Sequence, residues 1–358
     1  MTRTFYSFQK GADRFRKAME GVPDRVPVYA QMHEFVMREL DLKASEFYTV
    51  PDVLVSGTLE ICEKYGIDVA FLDFDVYNIE AEGLGQKMVY RDRAMPDVDR
   101  SQPLIRDRSD LARIKTPNFD SDGRFPEIVE MYDIFKKLTG TGCTPEFSAP
   151  FSLAANIRGI EQLLADLYED PDFAQGLFER LTEEVLAPWI DHLRRMLPDE
   201  TAFCGSDATA SLPIVSPAIL RDWVVPYILR LRELSGADVY VPNWVGERYL
   251  RNPAEMLDLK LRVCPGFLEG QDPDVEVLGP AVYKEHAQKN GVPLILGVGA
   301  GFLVLNSPSE VRERVRRYVE TGGRNGRFAL YLCNLGATTP ADNVKAAVDA
   351  VREHGVYE

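Results

Sequence analysis

The sequence lacks the features that would mark several large classes of protein. Its five cysteines, Cys62, Cys143, Cys204, Cys264 and Cys333, are odd in number and form no CxxC pair, which excludes a disulfide framework and suits a reducing cytoplasm. Its longest run without a polar side chain, "GVPLILGVGAGFLVL" at 291–305, is too short and too rich in glycine to span a bilayer, and the first fourteen residues hold no apolar core of a signal peptide. No membrane association is expected. Positive charge is also scarce. Forty-one Lys and Arg stand against 56 Asp and Glu, a formal charge of −15, which repels nucleic-acid backbones and anionic lipid surfaces. The "GVGAG" run has no P-loop lysine and no complete GxGxxG.

What is present is enough apolar residue, 45% of 358, to bury a substantial core. Short β-branched and aromatic runs read as strands at Val26–Tyr29, Val69–Phe74, Gly142–Phe147, Thr201–Cys204, Asp238–Trp244, Arg262–Phe267, Pro293–Val298 and Phe328–Cys333. Helical patterns follow most of them, with start signals at Ser216, at Ser307-Pro308 and at Thr339-Pro340. Eight strands alternating with helices predict an α/β fold, a (β/α)₈ TIM barrel with its active site at the C-terminal mouth of the strands. The stretch at about 90–141 is charged, dotted with proline and without a clear strand; it reads as an excursion within a single domain spanning 1–358.

In such a barrel, chemistry gathers where strands end. Those positions are polar here: Gln31, His33 and Glu34; Asp75, Asn78, Glu80 and Glu82; Glu146; Asp207; Asn243, Trp244 and Glu247; Glu269, Gln271 and Asp272; Cys333 and Asn334. The segment "FLDFDVYNIEAEGLG" is the densest, an apolar strand running into carboxylates. Each acid also has a plain reading as a helix cap. His33 is the one histidine near a strand end, and Trp244 reads either as packing or as the wall of a flat ligand site.

Several stretches together resemble the uroporphyrinogen decarboxylase and cobalamin-dependent methyltransferase superfamily: "RFRKAMEGVPDRVPV", "YGIDVAFLDFDVYNIEAEGLG", "FSAPFSLAANIRG", "SDATASLPIVSPAILRDWVVPY" and "LCNLGATTPADNVKAAVDAVREHGVY". The resemblance covers nearly the whole chain and implies a (β/α)₈ barrel with the site in its mouth. Asp75 matches the decarboxylase branch's catalytic aspartate. The arginine-rich segment that branch uses for its polyanionic substrate reads "YAQMHEFVMREL" here, with Gln31, His33 and Glu34 where arginines are expected. The thiol-methylating branch resembles the chain in "IEAEGLG" and "TPADNV" and uses zinc held by a His-x-Cys pair and a later cysteine. Asn243 and Val245 stand at the first two positions and Cys333 at the third, so zinc is left undecided, with His33, Glu34, Glu80 or Glu82 as replacement ligands.

The resemblance thus points to a cytoplasmic, corrinoid-dependent methyltransferase. It would move a methyl group from a small O-methyl donor, with an aryl methyl ether as first choice, to the Co(I) corrinoid of a partner protein. Asp75, Glu80, Glu82 and His33 are the catalytic candidates, for proton donation and donor orientation. Tyr77, Asn78, Asp207, Asn243, Trp244 and Cys333 are the substrate-binding candidates, and no metal site is assigned. The alternatives left open are a zinc-dependent methylcobalamin:thiol methyltransferase with atypical ligands, a decarboxylase, and a corrinoid- or ligand-binding module without turnover.

Overall fold

The computed structural model of the protein describes residues 4–357. Among the described residues there are nine strands: β1 (Val28–Ala30), β2 (Met88–Arg91), β3 (Ala94–Val98), β4 (Glu146–Ser148), β5 (Ala202–Ser206), β6 (Asp238–Tyr240), β7 (Leu268–Gln271), β8 (Leu294–Val298) and β9 (Phe328–Leu332). Parallel pairing runs β1-β9-β8-β7 on one side and β4-β5-β6 on the other, with Tyr29 opposite Tyr331 and Glu146 opposite Cys204. The extended segment 69–74 completes the set of eight staves of a (β/α)₈ TIM barrel. β8 and β9 are buried at every position, as parallel strands covered by helices on one face and by the barrel interior on the other must be. No described helix is long and apolar enough to cross a membrane.

The second stave differs from the expected strand. Its only bridge joins Tyr29 to Val69; instead of a ladder, Asp68 anchors its start. The Asp68 carboxylate accepts from Arg14 (2.7 Å), from both Arg25 amino groups (2.5 and 2.7 Å) and from the Val28 amide (3.0 Å). This charged clip replaces ladder bonds and leaves the chain beyond it free to turn into the mouth.

Two further expectations are corrected. Arg262 and Val263 close the helix Ala254–Val263, whose "LDLKLRV" alternates apolar and polar residues like a strand but is built from the helix formers Leu, Lys and Arg, and Pro265-Gly266 break the chain before β7 begins at Leu268. The excursion does contain strands: β2 and β3 form an antiparallel hairpin pairing Met88 with Val98. It then supplies the helix Phe125–Thr139, whose N-cap residue is Arg124. Elsewhere the start signals hold: Ser307 and Glu310 form a capping box on the helix Pro308–Gly322.

Candidate active site

The alternation of "FLDFDV" sends Asp73 and Asp75 to the same side of the second stave. Both are buried, and each meets a different cation. Asp73 Oδ2 lies 2.6 Å from His33 Nδ1, while His33 Nε2 lies 3.0 Å from Asn334 Oδ1, so the imidazole is held between the second stave and the turn after β9. Burial pulls the imidazole down, but the Asp73 charge more than offsets this and lifts it to about 9. His33 is therefore an imidazolium at neutral pH, and its side chain keeps 13% of its surface exposed.

Asp75 takes a left-handed backbone conformation (φ 69°), which costs a non-glycine residue about 1–2 kcal/mol. Its carboxylate is fixed by Arg124 Nη2 (2.9 Å) and Asn78 Nδ2 (2.5 Å). Arg124 turns its Nε to Glu82 (2.6 Å), joining the two acids. Burial raises Asp75 to about 7, with Arg124 opposing. Glu80 has no exposed surface. Its Oε1 accepts from the Ser148 amide (3.1 Å), its Oε2 has no partner, and burial lifts it to about 8.

A hydrogen-bonded chain runs from there to the opposite half of the mouth. Asn78 accepts from Asn156 (3.2 Å), which also donates to the Tyr77 carbonyl (2.6 Å). The Tyr77 hydroxyl accepts from Asn243 Nδ2 (2.9 Å), and Asn243 Oδ1 accepts from the Asp207 amide (2.9 Å). Asp207 in turn accepts from the Trp244 indole (3.1 Å) and the Ser152 amide (3.0 Å). Burial raises Asp207 to about 6, and its partners, all neutral donors, hold it below that pull.

The structure therefore brings His33, Asp75, Tyr77, Asn78, Asp207, Asn243 and Trp244 to one mouth. It corrects one role: Trp244 is wholly buried with its N–H on Asp207, so it is a packing residue and not the wall of a ligand site. Asp207 likewise spends both oxygens on the protein. Glu80 and Glu82 are held by Ser148 and Arg124. Cys333 lies deeper, beside Gly297 inside the barrel, and burial raises its thiol well above the ordinary range.

Sequence reasoning missed Arg124, Asp73 and Asn156 as parts of the site. Arg124 had no signal, since it comes from an excursion between Gly123 and "FPEIVEM". Asp73 had one: its i, i+2 spacing from Asp75.

Fold and mouth together define a class, a (β/α)₈ barrel whose buried acids and one imidazolium gather at the C-terminal ends of the strands. The uroporphyrinogen decarboxylase (URO-D) family profile matches residues 10–354, and the chain belongs to that family. A methylated-thiol–coenzyme M methyltransferase of Methanosarcina mazei is 28% identical over 185 residues, 51% of this chain and 47% of that protein. The chain thus matches about half the length of that relative. A uroporphyrinogen decarboxylase of Anaeromyxobacter dehalogenans is 23% identical over 375 aligned positions, covering 96% of this chain and 99% of that one. Among solved structures, a methyltransferase from Methanosarcina mazei matches with a TM-score of 0.77 at 18% identity, over 98% of this chain and 99% of that one, and bears out the barrel fold.

The zinc of the family's thiol-methylating branch does not fit these residues. Asn243 has both its amide oxygen and its amide nitrogen committed to Asp207 and Tyr77, Val245 offers no ligand atom, and Cys333 is a buried thiol. Among the described residues, no group of three or more His, Cys, Asp or Glu side chains is arranged to hold a metal ion.

Proposed function

We propose that the protein is a corrinoid-dependent methyltransferase that demethylates a small O-methyl donor, an aryl methyl ether, and passes the methyl group to a Co(I) corrinoid carried by a partner protein. One observation carries the reading: the mouth sets the His33 imidazole 2.6 Å from the Asp73 carboxylate, while the Arg124 guanidinium is consumed by Asp75 and Glu82. An ether is uncharged and needs a proton on its departing oxygen. A polyanionic porphyrinogen needs free cations, and both His33 and Arg124 are held by carboxylates. The sequence likeness to a methyltransferase supports methyl transfer as the reaction.

A Co(I) corrinoid, when it docks, supplies the nucleophile for in-line displacement at the methyl carbon. The chain's own groups do the rest. His33, kept charged by Asp73, gives the leaving oxygen a proton as the carbon–oxygen bond breaks, exchanging its bond to Asn334 for one to the donor. Tyr77 and Asn243, half-buried and already bonded to each other, orient the donor. Asp75 and Arg124 act through position, fixing the turn that carries Tyr77 and Asn78.

The thiol-methylating alternative finds a polar amide and an aliphatic side chain in place of two ligands. The test is to incubate the purified protein with cob(I)alamin and, separately, with methoxylated aromatics, methylamines and methanol, following the corrinoid spectrum. Conversion of Co(I) to methyl-Co(III) with methoxyarenes is expected. Conversion only with amines, or none alongside decarboxylation of uroporphyrinogen, would overturn the reading.

A further inference from the structure

The barrel interior below the mouth mixes polar side chains with a small apolar cluster, Ile295, Ala329, Tyr331 and Cys333, against which Tyr29 packs. On β4 the ring of Phe147 lies against Gly205 in the outer layer, so Glu146 and Ser148 point the other way, into the lumen. Cys204 on β5 and Tyr240 on β6 share their row, and the Cys204 thiol donates to Glu146. From the opposite wall, Tyr29 stacks on Tyr331 with centroids 4.6 Å apart, and its hydroxyl reaches Glu269 at 3.5 Å. Tyr29, Cys204, Tyr240 and Gln271 are half-buried, whereas their strand neighbours Val28, Phe203, Val239 and Gly270 are fully buried. Solvent therefore reaches inward-facing side chains that a packed barrel would seal. The Ser148 hydroxyl, fully buried on the same face as Glu146, has no partner.

We propose that this lumen is the slot for the ring of the methyl donor, and that Glu146 and Glu269 restrict it to rings bearing hydroxyl groups but no negative charge. The proposal rests on the methyl-transfer reading above. Tyrosine faces stack on an aromatic ring. Glu146 and Glu269 each present carboxyl oxygens that accept from a phenolic hydroxyl. An arenecarboxylate would meet carboxyl groups with no spare cation: His33 is held by Asp73, and Lys260, whose charge reaches Glu269, bonds Glu247 at 2.7 Å. Burying an unpaired anion is strongly unfavourable.

The test compares binding of 2-methoxyphenol and 4-hydroxy-3-methoxybenzoate to the protein without corrinoid, by calorimetry, in wild type, Glu146→Gln and Glu269→Gln, with melting curves confirming that the variants fold. We expect the carboxylated ring to bind at least about tenfold more weakly to wild type, and the gap to narrow in one or both variants as an amide replaces an acid. Equal or tighter binding of the carboxylated ring, no binding of 2-methoxyphenol, or a gap unchanged in both folded variants would overturn the proposal. Parallel assays of methyl transfer to cob(I)alamin separate the two claims. Binding with the expected preference but without transfer would sink the reaction and leave the slot. Transfer from both rings alike would sink the slot and leave the reaction.

Discussion

The two halves of the mouth use the same residue types for different ends. On the side of the second stave, Asp73 and Asp75 each face a cation, His33 and Arg124, and the pairs carry net structure and charge into the site. On the side of β5 and β6, Asp207 faces only neutral donors, the Trp244 indole and the Ser152 amide, and the result is a rigid corner with no proton to give. The comparison teaches that a carboxylate at a strand end becomes part of the chemistry through its partner, not its position. The charged half also stores cost: Asp75 is held in a left-handed backbone and Glu80 has an oxygen without a partner. Such strain is tolerated where function requires it.

Removing the charged half's cation is the severest way to test this contrast. Arg124→Met leaves Asp75 and Glu82 facing each other without it, and should lower unfolding free energy in urea by about 3–5 kcal/mol, the scale of a broken buried ion pair. Asp75 should answer by binding a proton. Next, His33→Gln should slow methyl transfer by about 10²-fold or more, the range of a lost general acid, with the smallest loss for donors whose leaving group is a stabilised phenolate. Asp207→Asn should cost about 1–3 kcal/mol of stability through one damaged buried hydrogen bond, with less than about tenfold loss in rate. If Asp207→Asn abolished transfer while His33→Gln did not, the two halves would have to exchange roles.

A pH-dependent effect concerns Glu80. Its neutral form is favoured in the folded protein up to about pH 8, whereas unfolded it ionises near 4.5. Its contribution to stability is thus full below about 4.5 and is lost as pH rises toward 8. Melting temperatures of Glu80→Gln should therefore depend less on pH than those of wild type across pH 5–8. An unchanged pH dependence would mean that Glu80 is ionised in the fold.

The fold was legible because seven of the eight staves carry apolar runs at strand length and their helices carry start signals, as at Ser307. The β7 position, read as Arg262–Phe267, was misplaced because "LDLKLRV" leads into it with a strand-like alternation, which its helix-forming Leu, Lys and Arg override. The second stave was read as a regular strand because nothing local reveals that Asp68, Arg14 and Arg25 stand in for a ladder. Within the site, strand-end position identified His33, Asp75, Asn78 and Asn243. It could not tell that Trp244 would be wholly buried, since the residue bonded to its indole is 37 positions away. Arg124 was illegible for the same reason: its meaning comes from acids 42 and 49 residues earlier. Pairing across the fold, more than residue type, is what the sequence conceals.

In the proposed mechanism the charged half supplies the proton, through an imidazolium held by Asp73. The pH dependence of methyl transfer from 2-methoxyphenol to cob(I)alamin, compared between wild type and Asp73→Asn, tests it most directly. Wild-type activity should hold through neutral pH and fall as pH passes about 9, where His33 loses its proton. In Asp73→Asn the charge that raises His33 is gone, burial alone acts on it, and the falling limb should move to lower pH. A limb at the same pH in both proteins would contradict the claim and place the proton donor elsewhere.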